Sequence, residues 1–149
     1  MKLCLFQPDI AQNAAALIRL GACLGVPVDI IEPAGFLFSD KGFRRAGMDY
    51  LELASATRHA SWNAFLSERT GRLVLLTVRG ETPYTDFSFE PADTIVLGRE
   101  SAGVPEEVRA AADARLRIPL RQGLRSINVA QAGAMALGEA LRQTNGFPA

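Results

Sequence analysis

Metal-binding side chains are scarce in this sequence. Its 149 residues contain two cysteines, Cys4 and Cys23, and a single histidine, His59. The cysteines form no CxxC pair, and one histidine with two isolated thiols does not supply the ligand set of a zinc site. We therefore expect no metal chemistry.

Long apolar runs and an excess of charge of one sign are also missing. The first apolar run, residues 3–6, is stopped by Gln7, Pro8 and Asp9 before a signal peptide or a membrane span is complete. Sixteen Lys and Arg residues balance sixteen Asp and Glu residues, so bulk charge predicts neither a nucleic-acid coat nor an acidic partner. We expect a cytoplasmic protein with reduced thiols and no membrane contact, in which any RNA site is a local patch.

Strand-like apolar runs alternate with stretches of helical spacing. The expected strands are residues 3–6, 28–31, 73–77, 94–97 and 116–118, and the expected helices are residues 12–24, 61–68, 105–112 and 126–142. With 48% apolar and 21% charged residues, the chain suits one compact domain over residues 1–149. The alternation predicts an α/β fold with a buried parallel sheet flanked by helices. In such sheets ligands lie at the carboxyl ends of the strands, where this chain has glycine-rich loops.

The densest candidate motif follows the fourth expected strand. Residues 98–105 are Gly-Arg-Glu-Ser-Ala-Gly-Val-Pro, a loop that suits close approach of the backbone to a ligand. The motif lacks the lysine of a P-loop, the glycine that a nucleophile elbow needs before its serine, and a glycine of the dinucleotide fingerprint. Two interpretations stay open: a ligand-binding loop, or a glycine-rich turn with Pro105 at the first position of the next helix.

A second candidate motif opens the last expected helix. Residues 123–130 are Gly-Leu-Arg-Ser-Ile-Asn-Val-Ala, and we expect Ser126 to be the N-cap. Asn128 is a poor helix former within the first turn, so it either holds the neighbouring loop by hydrogen bonds or contacts a substrate. The small residues of 130–140 favour close packing, in the core or against a second copy of the chain.

The first expected helix and a basic cluster supply further candidates. Asn13 and Arg19 are six positions apart, and both can line one mouth if Asn13 lies at the loop edge; Arg19 can equally be a solvated arginine. The candidate RNA contacts are Lys41, Arg44, Arg45, Arg58 and His59. Phe43 or Tyr50 is available to stack on a base, although a solvated charged face is the alternative for this cluster.

The order and spacing of these motifs resemble those of the SPOUT (α/β-knot) superfamily of RNA methyltransferases, above all its minimal tRNA-modifying members of the TrmL (YibK-like) type. The resemblance covers nearly the whole chain and rests on residues 6–13, 18–20, 30–36, 44–50, 57–59, 98–105 and 125–128. It implies a C-terminal trefoil knot and an obligate homodimer. It also implies that the tRNA groove and the active site are assembled across two subunits.

A cofactor and a reaction follow from the same resemblance. The implied activity is transfer of a methyl group from S-adenosylmethionine to the ribose 2′-hydroxyl of the wobble nucleotide, a cytidine or a modified uridine, in the anticodon loop of a leucine tRNA. The implied cofactor contacts are Leu76, Thr77, Gly98, Ile118, Leu120 and Ser126, and the implied catalytic residues are Arg19, Asn13, Glu100, Ser126 and Asn128. Because a guanidinium is almost always charged, we expect Arg19 to stabilise a developing alkoxide or to orient a phosphate, with a general-base role as the alternative.

One departure from the family pattern motivates a rival hypothesis. Family members commonly carry Asn-x-Gly-Asn-x-x-Arg where residues 13–19 of this chain contain Ala15 and Ala16. The methyl group of Ala15 could crowd a close contact, and Ala16 lacks a hydrogen-bonding side chain. The rival is a catalytically weak or inactive knotted tRNA-binding protein. A ribosomal RNA substrate is disfavoured, because the sequence shows no added RNA-binding domain.

Overall fold

The structure is a computed structural model that describes residues 1–39, 41–47 and 55–149. Its strands are β1 (Lys2–Phe6), β2 (Val28–Ile31), β3 (Ala56–His59), β4 (Leu73–Leu76), β5 (Thr82–Pro83), β6 (Thr94–Leu97) and β7 (Ala114–Arg117). Its helices are α1 (Ala11–Leu24), α2 (Lys41–Gly47), α3 (Trp62–Glu68), α4 (Glu106–Ala111) and α5 (Val129–Thr144), with a 3₁₀ turn at Tyr84–Asp86.

The described strands form one parallel sheet in the order β3-β2-β1-β6-β4-β7-β5. The chain first runs outward from β1 to β3 and then continues on the other side of β1. This reversal brings the carboxyl ends of β1, β6, β4 and β7 together near the middle of the sheet, the usual place for a ligand in an open α/β sheet. The predicted parallel α/β architecture is confirmed.

Alternating side chains of the strands supply two apolar cores, one on each face of the sheet. On one face, Leu3 and Leu5 of β1 belong to a buried cluster that includes residues of α1 and α5. On the other face, Cys4 and Phe6 pack with Trp62 and other residues of α3 and α4. Helices therefore cover both faces, which explains why the strands read as nearly continuous apolar runs.

Three short elements were not expected from the sequence. The edge strand β3 has three exposed residues out of four, and β5 has only two residues, so neither gives an apolar run. Helix α2 is seven residues long and rich in glycine and arginine, which hides its helical pattern. These elements depend on pairing and packing against the rest of the fold rather than on local preference.

The predicted starts of two helices are wrong. Helix α5 begins at Val129, with Asn128 rather than Ser126 as its N-cap. Helix α4 begins at Glu106, and Pro105 is its N-cap residue rather than its first helical residue. No helix of the described residues is both long enough and apolar enough to cross a bilayer.

Candidate active site

A cavity of about 570 Å³ lies at the carboxyl ends of β4, β6 and β7. Four chain segments build its wall: the start of α1 and the segments that follow these three strands. The predicted site residues in this wall are Asn13, Leu76, Thr77, Gly98, Glu100, Ile118, Leu120, Ser126 and Asn128. The structure thus brings together nine predicted site residues from four separate segments of the sequence.

The loop after β6 closes tightly on itself beside the cavity. Arg99 and Gly103 exchange two backbone hydrogen bonds, of 3.0 and 2.9 Å. A Cβ atom at Gly98 would lie 2.9 Å from the carbonyl carbon of Gly103, and Gly103 itself has a φ of +63°. Both positions therefore require glycine. The two interpretations of this motif are compatible, since the turn is tight and also lines the cavity.

A chain of hydrogen bonds connects three of the lining residues. The Asn13 amide donates to Glu100 Oε1 at 3.2 Å, and the Asn128 amide donates to Asn13 Oδ1 at 2.9 Å. Asn128 Oδ1 also accepts from the backbone N–H groups of Ala130 and Gln131, at 2.8 and 3.3 Å. Asn128 thus caps α5 and at the same time ties this helix to α1 and to the loop after β6.

Asp9 belongs to the same network, although the sequence predicted no site role for it beyond its place in the motif of residues 6–13. Its backbone N–H donates to Glu100 Oε2 at 3.2 Å, and the Glu100 N–H donates to Asp9 Oδ1 at 3.1 Å. The hydroxyl of Ser101 donates to the other Asp9 oxygen. The signal that could have revealed Asp9 is an acidic residue directly after a central strand, at the edge where ligands bind.

The two carboxyl groups of this network differ in acidity. A side-chain hydrogen bond with Glu100 is the main factor that lowers the pKa of Asp9 to about 2. Burial, followed by the hydrogen bond with Asp9, raises the pKa of Glu100 above its ordinary value. Asp9 is therefore the anionic member of the pair, and Glu100 holds a proton more readily than an exposed glutamate does.

Arg19 is the one predicted catalytic residue that does not line this cavity within the described chain. It is half-buried on α1, and its distance along the helix from Asn13 places it outside the wall. Ala15 is completely buried in the core, whereas Ala16 is exposed, and neither lines the cavity. The methyl group of Ala15 therefore does not crowd the site.

The predicted basic cluster is only partly available on the surface. Lys41, Arg44 and Arg45 are exposed on α2, and the Arg58 side chain is 55% exposed. His59 is 7% exposed and lies 2.8 Å from Asp29, measured between His59 Nε2 and Asp29 Oδ1, so its ring is not exposed for the predicted contact with RNA. Its position at the end of β3 points it into the protein beside Phe65.

The predicted stacking residues do not offer a free ring among the described residues. Phe43 is 5% exposed and packs against Phe36 and Phe38, so the hypothesis that it stacks on a base is wrong. Tyr50 lies outside the described residues. In the described ranges, no group of three or more His, Cys, Asp or Glu side chains is placed to hold a metal ion.

Comparison with known proteins connects this geometry to a family. Residues 1–138 match the SpoU rRNA Methylase family, which confirms the resemblance to RNA methyltransferases. A protein of Ancylobacter novellus named tRNA (cytidine(34)-2'-O)-methyltransferase is 59% identical over 150 residues, covering 99% of this chain and 95% of the relative. A protein of Escherichia coli (strain K12) with the same name is 38% identical over 151 residues, covering 99% and 96%.

A solved structure agrees with this assignment. It is described by the words "Structural insights into the 2-OH methylation of C/U34 on tRNA", and it superimposes with a TM-score of 0.91 at 40% identity over 95% of this chain and 94% of that chain. The similarity of the fold and the family match therefore agree. This chain belongs to the SpoU rRNA Methylase family.

Proposed function

We propose that the protein transfers a methyl group from S-adenosylmethionine to the ribose 2′-hydroxyl of nucleotide 34, the wobble nucleotide, in tRNA. The observation that carries this proposal is the convergence of nine predicted cofactor and catalytic residues on one cavity. The relatives named as tRNA (cytidine(34)-2'-O)-methyltransferases support cytidine as the target base. A modified uridine as a second target and leucine tRNA as the substrate stay predictions.

The cavity suits a cofactor with a flat apolar ring and polar edges. Its volume falls within the range of about 300–1,000 Å³ that is usual for small-molecule sites. Leu76, Ile118 and Leu120 supply apolar contact, while the loops at Thr77 and Gly98 supply backbone polar groups. S-adenosylmethionine contributes a methyl group that its sulfonium makes reactive.

The residues of the hydrogen-bonded chain then have the task of positioning the ribose. Methyl transfer needs the sugar oxygen held in line, so geometry accounts for much of the catalysis. Asn13, Glu100 and Asn128 are fixed by one another at the cavity wall, which prepares them to orient a sugar hydroxyl. Ser126 is exposed beside them and free of any N-capping role.

Arg19 is the proposed electrostatic group. Because a guanidinium stays charged, it suits stabilisation of a developing alkoxide or orientation of the neighbouring phosphate rather than proton removal. Arg99 and Arg125 line the cavity and add positive charge toward a polyanion.

We also propose that the protein is a cytoplasmic homodimer whose active sites need both subunits. Arg19 lies outside the cavity wall of its own chain, which favours a role in the site of the partner. The outer face of α5 supports this arrangement, since Met135 is 42% exposed and a Cβ atom at Gly138 would meet nothing within 4 Å. A single domain over residues 1–149 and a C-terminal trefoil knot complete the proposal.

The rival function is tRNA binding without methyl transfer. It was motivated by Ala15 and Ala16, but the burial of Ala15 in the core and the exposure of Ala16 remove the steric part of that argument. The intact hydrogen-bonded chain further favours the enzyme.

The test supplies the purified protein with methyl-labelled S-adenosylmethionine and total tRNA from cells that lack the protein. We expect label in the 2′-O-methylated nucleotide 34 after digestion of the tRNA. Binding of the same tRNA without any label would support the rival instead. Label on a base, or at another nucleotide, would contradict the proposed reaction.

A further inference from the structure

A second cavity, of about 600 Å³, lies beside the loop that follows β2. Its wall includes Glu32, Phe36, Leu37, Phe38 and Arg58. We call it the Arg58 pocket. None of its residues has a cofactor or catalytic role in the proposed function. Arg58 is a candidate RNA contact.

The planar guanidinium of Arg58 is fixed in this pocket by contacts along one edge and on one face. Glu32 Oε1 accepts hydrogen bonds from Arg58 Nε, at 2.7 Å, and from Arg58 Nη2, so the carboxylate fixes the guanidinium along its edge. The Phe38 ring covers the guanidinium at 4.2 Å. Since the Arg58 side chain is still 55% exposed, its other face is open to a planar partner. Unstacked nucleobases bind guanidinium planes in this way.

The aromatic residues of the loop pack together beneath the Arg58 guanidinium. Phe36 and Phe38 are half-buried and pack against the buried Phe43 of α2, with ring centroids 5.4 and 5.3 Å from the Phe43 ring. Leu37 lies between them in the chain and is 74% exposed. The loop therefore presents an apolar side chain at the rim of the pocket while its neighbours anchor it.

The loop is joined directly to the active-site network. The Gly35 N–H donates to the carbonyl of Pro8 at 2.9 Å, and a Cβ atom at Gly35 would lie 2.9 Å from the Cα atom of Asp9. Asp9 in turn is bonded to Glu100 at the wall of the cofactor cavity. The two cavities thus lie at the same carboxyl edge of the sheet and are connected through contacts between adjacent loops.

Charge beside the pocket suits a phosphate backbone. Lys41, Arg44 and Arg45 are exposed on α2, which follows the loop in the chain and shares the Phe43 contact with it. Because the whole chain has no net charge, such a concentration of positive charge is local. Phosphate contacts hold an RNA strand in register without reading its sequence. A stacking pocket beside them can bind one base of the same strand.

We propose that the Arg58 pocket binds the splayed nucleobase of a nucleotide adjacent to the one that is methylated. This inference rests on the proposed function, because it takes the ligand to be the single-stranded loop of the same RNA. The pocket would fix the strand on one side of the target, so that the ribose enters the cofactor cavity in a defined orientation.

The test measures the dissociation constant of anticodon hairpin RNAs in which one loop base at a time is removed to give an abasic nucleotide. For the wild-type protein, we expect removal of one base adjacent to the target to weaken binding by about tenfold, the scale of one stacked base. Arg58→Lys keeps the charge but loses the planar face, and we expect it to weaken binding of the intact hairpin to a similar degree. Removal of that base should then add little further loss in the variant.

The matched control is Arg69→Lys. Arg69 also pairs with a carboxylate, with Arg69 Nη1 3.4 Å from Asp113 Oδ2, but it lies before β4, at the opposite edge of the sheet. Its replacement should leave both dissociation constants unchanged. A further variant, Arg58→Gln, removes the positive charge together with the guanidinium plane, so its comparison with Arg58→Lys shows what the charge contributes.

Three results would overturn the inference. One is independent losses from Arg58→Lys and from the abasic nucleotide, which multiply when the two changes are combined. Another is no loss of binding from either change. The third is normal binding by Arg58→Lys with weak binding by Arg58→Gln, which would indicate a phosphate contact only. A failure of methyl transfer to every RNA would count against the proposed function instead, since the binding measurement does not depend on turnover.

Discussion

At the scale of single residues, Asp9 and Glu100 exchange backbone-to-carboxylate hydrogen bonds at the edge of the cofactor cavity. Asp9 is ionised over the physiological range, and its lowered pKa contributes stability above pH 4 that is lost as the pH falls toward 2. Glu100 behaves in the opposite sense. Its raised pKa means that the neutral form stabilises the fold, and that this stabilisation is lost as the pH rises through the raised value.

Glu100→Gln tests this pair, because glutamine imitates the shape of the neutral carboxyl and cannot ionise. We expect the free energy of unfolding of the variant, relative to wild type, to increase between pH 4 and pH 8. Urea unfolding at several pH values measures this difference. The exposed Glu107 of α4 provides the matched control Glu107→Gln, measured at the same pH values. A constant difference for Glu100→Gln would contradict the assignment of the proton to Glu100.

At the scale of secondary structure, the start of α5 serves both the fold and the site through one side chain. Asn128→Ala removes the cap, and we expect it to lower the free energy of unfolding by about 1 kcal/mol. Asn128→Asp keeps an oxygen that accepts from Ala130 and Gln131, so its stability should stay near that of wild type, yet it loses the donor to Asn13. Both variants should lose methyl-transfer activity if the bond to Asn13 positions the ribose.

Ser126→Ala provides the comparison for this helix. Because Ser126 is not the N-cap, its replacement should change the free energy of unfolding by less than about 0.5 kcal/mol. Thermal or urea unfolding, combined with the transfer assay, separates the two roles. Normal activity in Asn128→Asp would show that capping, and not the link to α1, is what the enzyme needs.

The strands and the start of α5 show what the sequence could and could not predict about the fold. Apolar runs predicted the central strands well, because β1, β2, β4 and β6 are buried on both faces. The edge strand β3 escaped prediction, since its pairing with β2 is a long-range contact that leaves no apolar pattern. The cap of α5 was predicted at Ser126 and lies at Asn128, because both residues are good caps and Asn128 is the one whose side chain accepts from Ala130 and Gln131.

The sequence could predict those site residues that lie within the motifs of the family. The lining residues Gly98, Glu100 and Asn128 belong to segments whose order and spacing resemble a family. The role of Asp9 in the hydrogen-bond network was not predicted, because it depends on contact with a loop about ninety residues away in the sequence. The burial of His59 also depends on tertiary context, since Asp29 on the neighbouring strand supplies its partner.

At the scale of the whole molecule, α5 has two faces with different tasks. Its inner face packs into the core, where a Cβ atom at Gly133 would lie 2.8 Å from side-chain atoms of both Leu17 and Leu97. Its outer face, with the exposed Ala134 and Met135, remains uncovered in the single chain. The small residues therefore serve core packing on one side, and on the other Ala134 and Met135 form the exposed surface that the proposed homodimer would cover.

A subunit-mixing experiment tests whether Arg19 serves the partner's cavity. Arg19→Ala and Asn128→Ala protomers, each inactive alone, are mixed and allowed to exchange subunits. If Arg19 acts on the partner's cavity, each mixed dimer holds one site with both native residues, so random exchange should restore about a quarter of wild-type activity. If Arg19 acts within its own chain, every site in the mixture lacks one of the two residues and no activity returns. Full activity of Arg19→Ala alone would remove Arg19 from the mechanism, because neither arrangement would then need its charge.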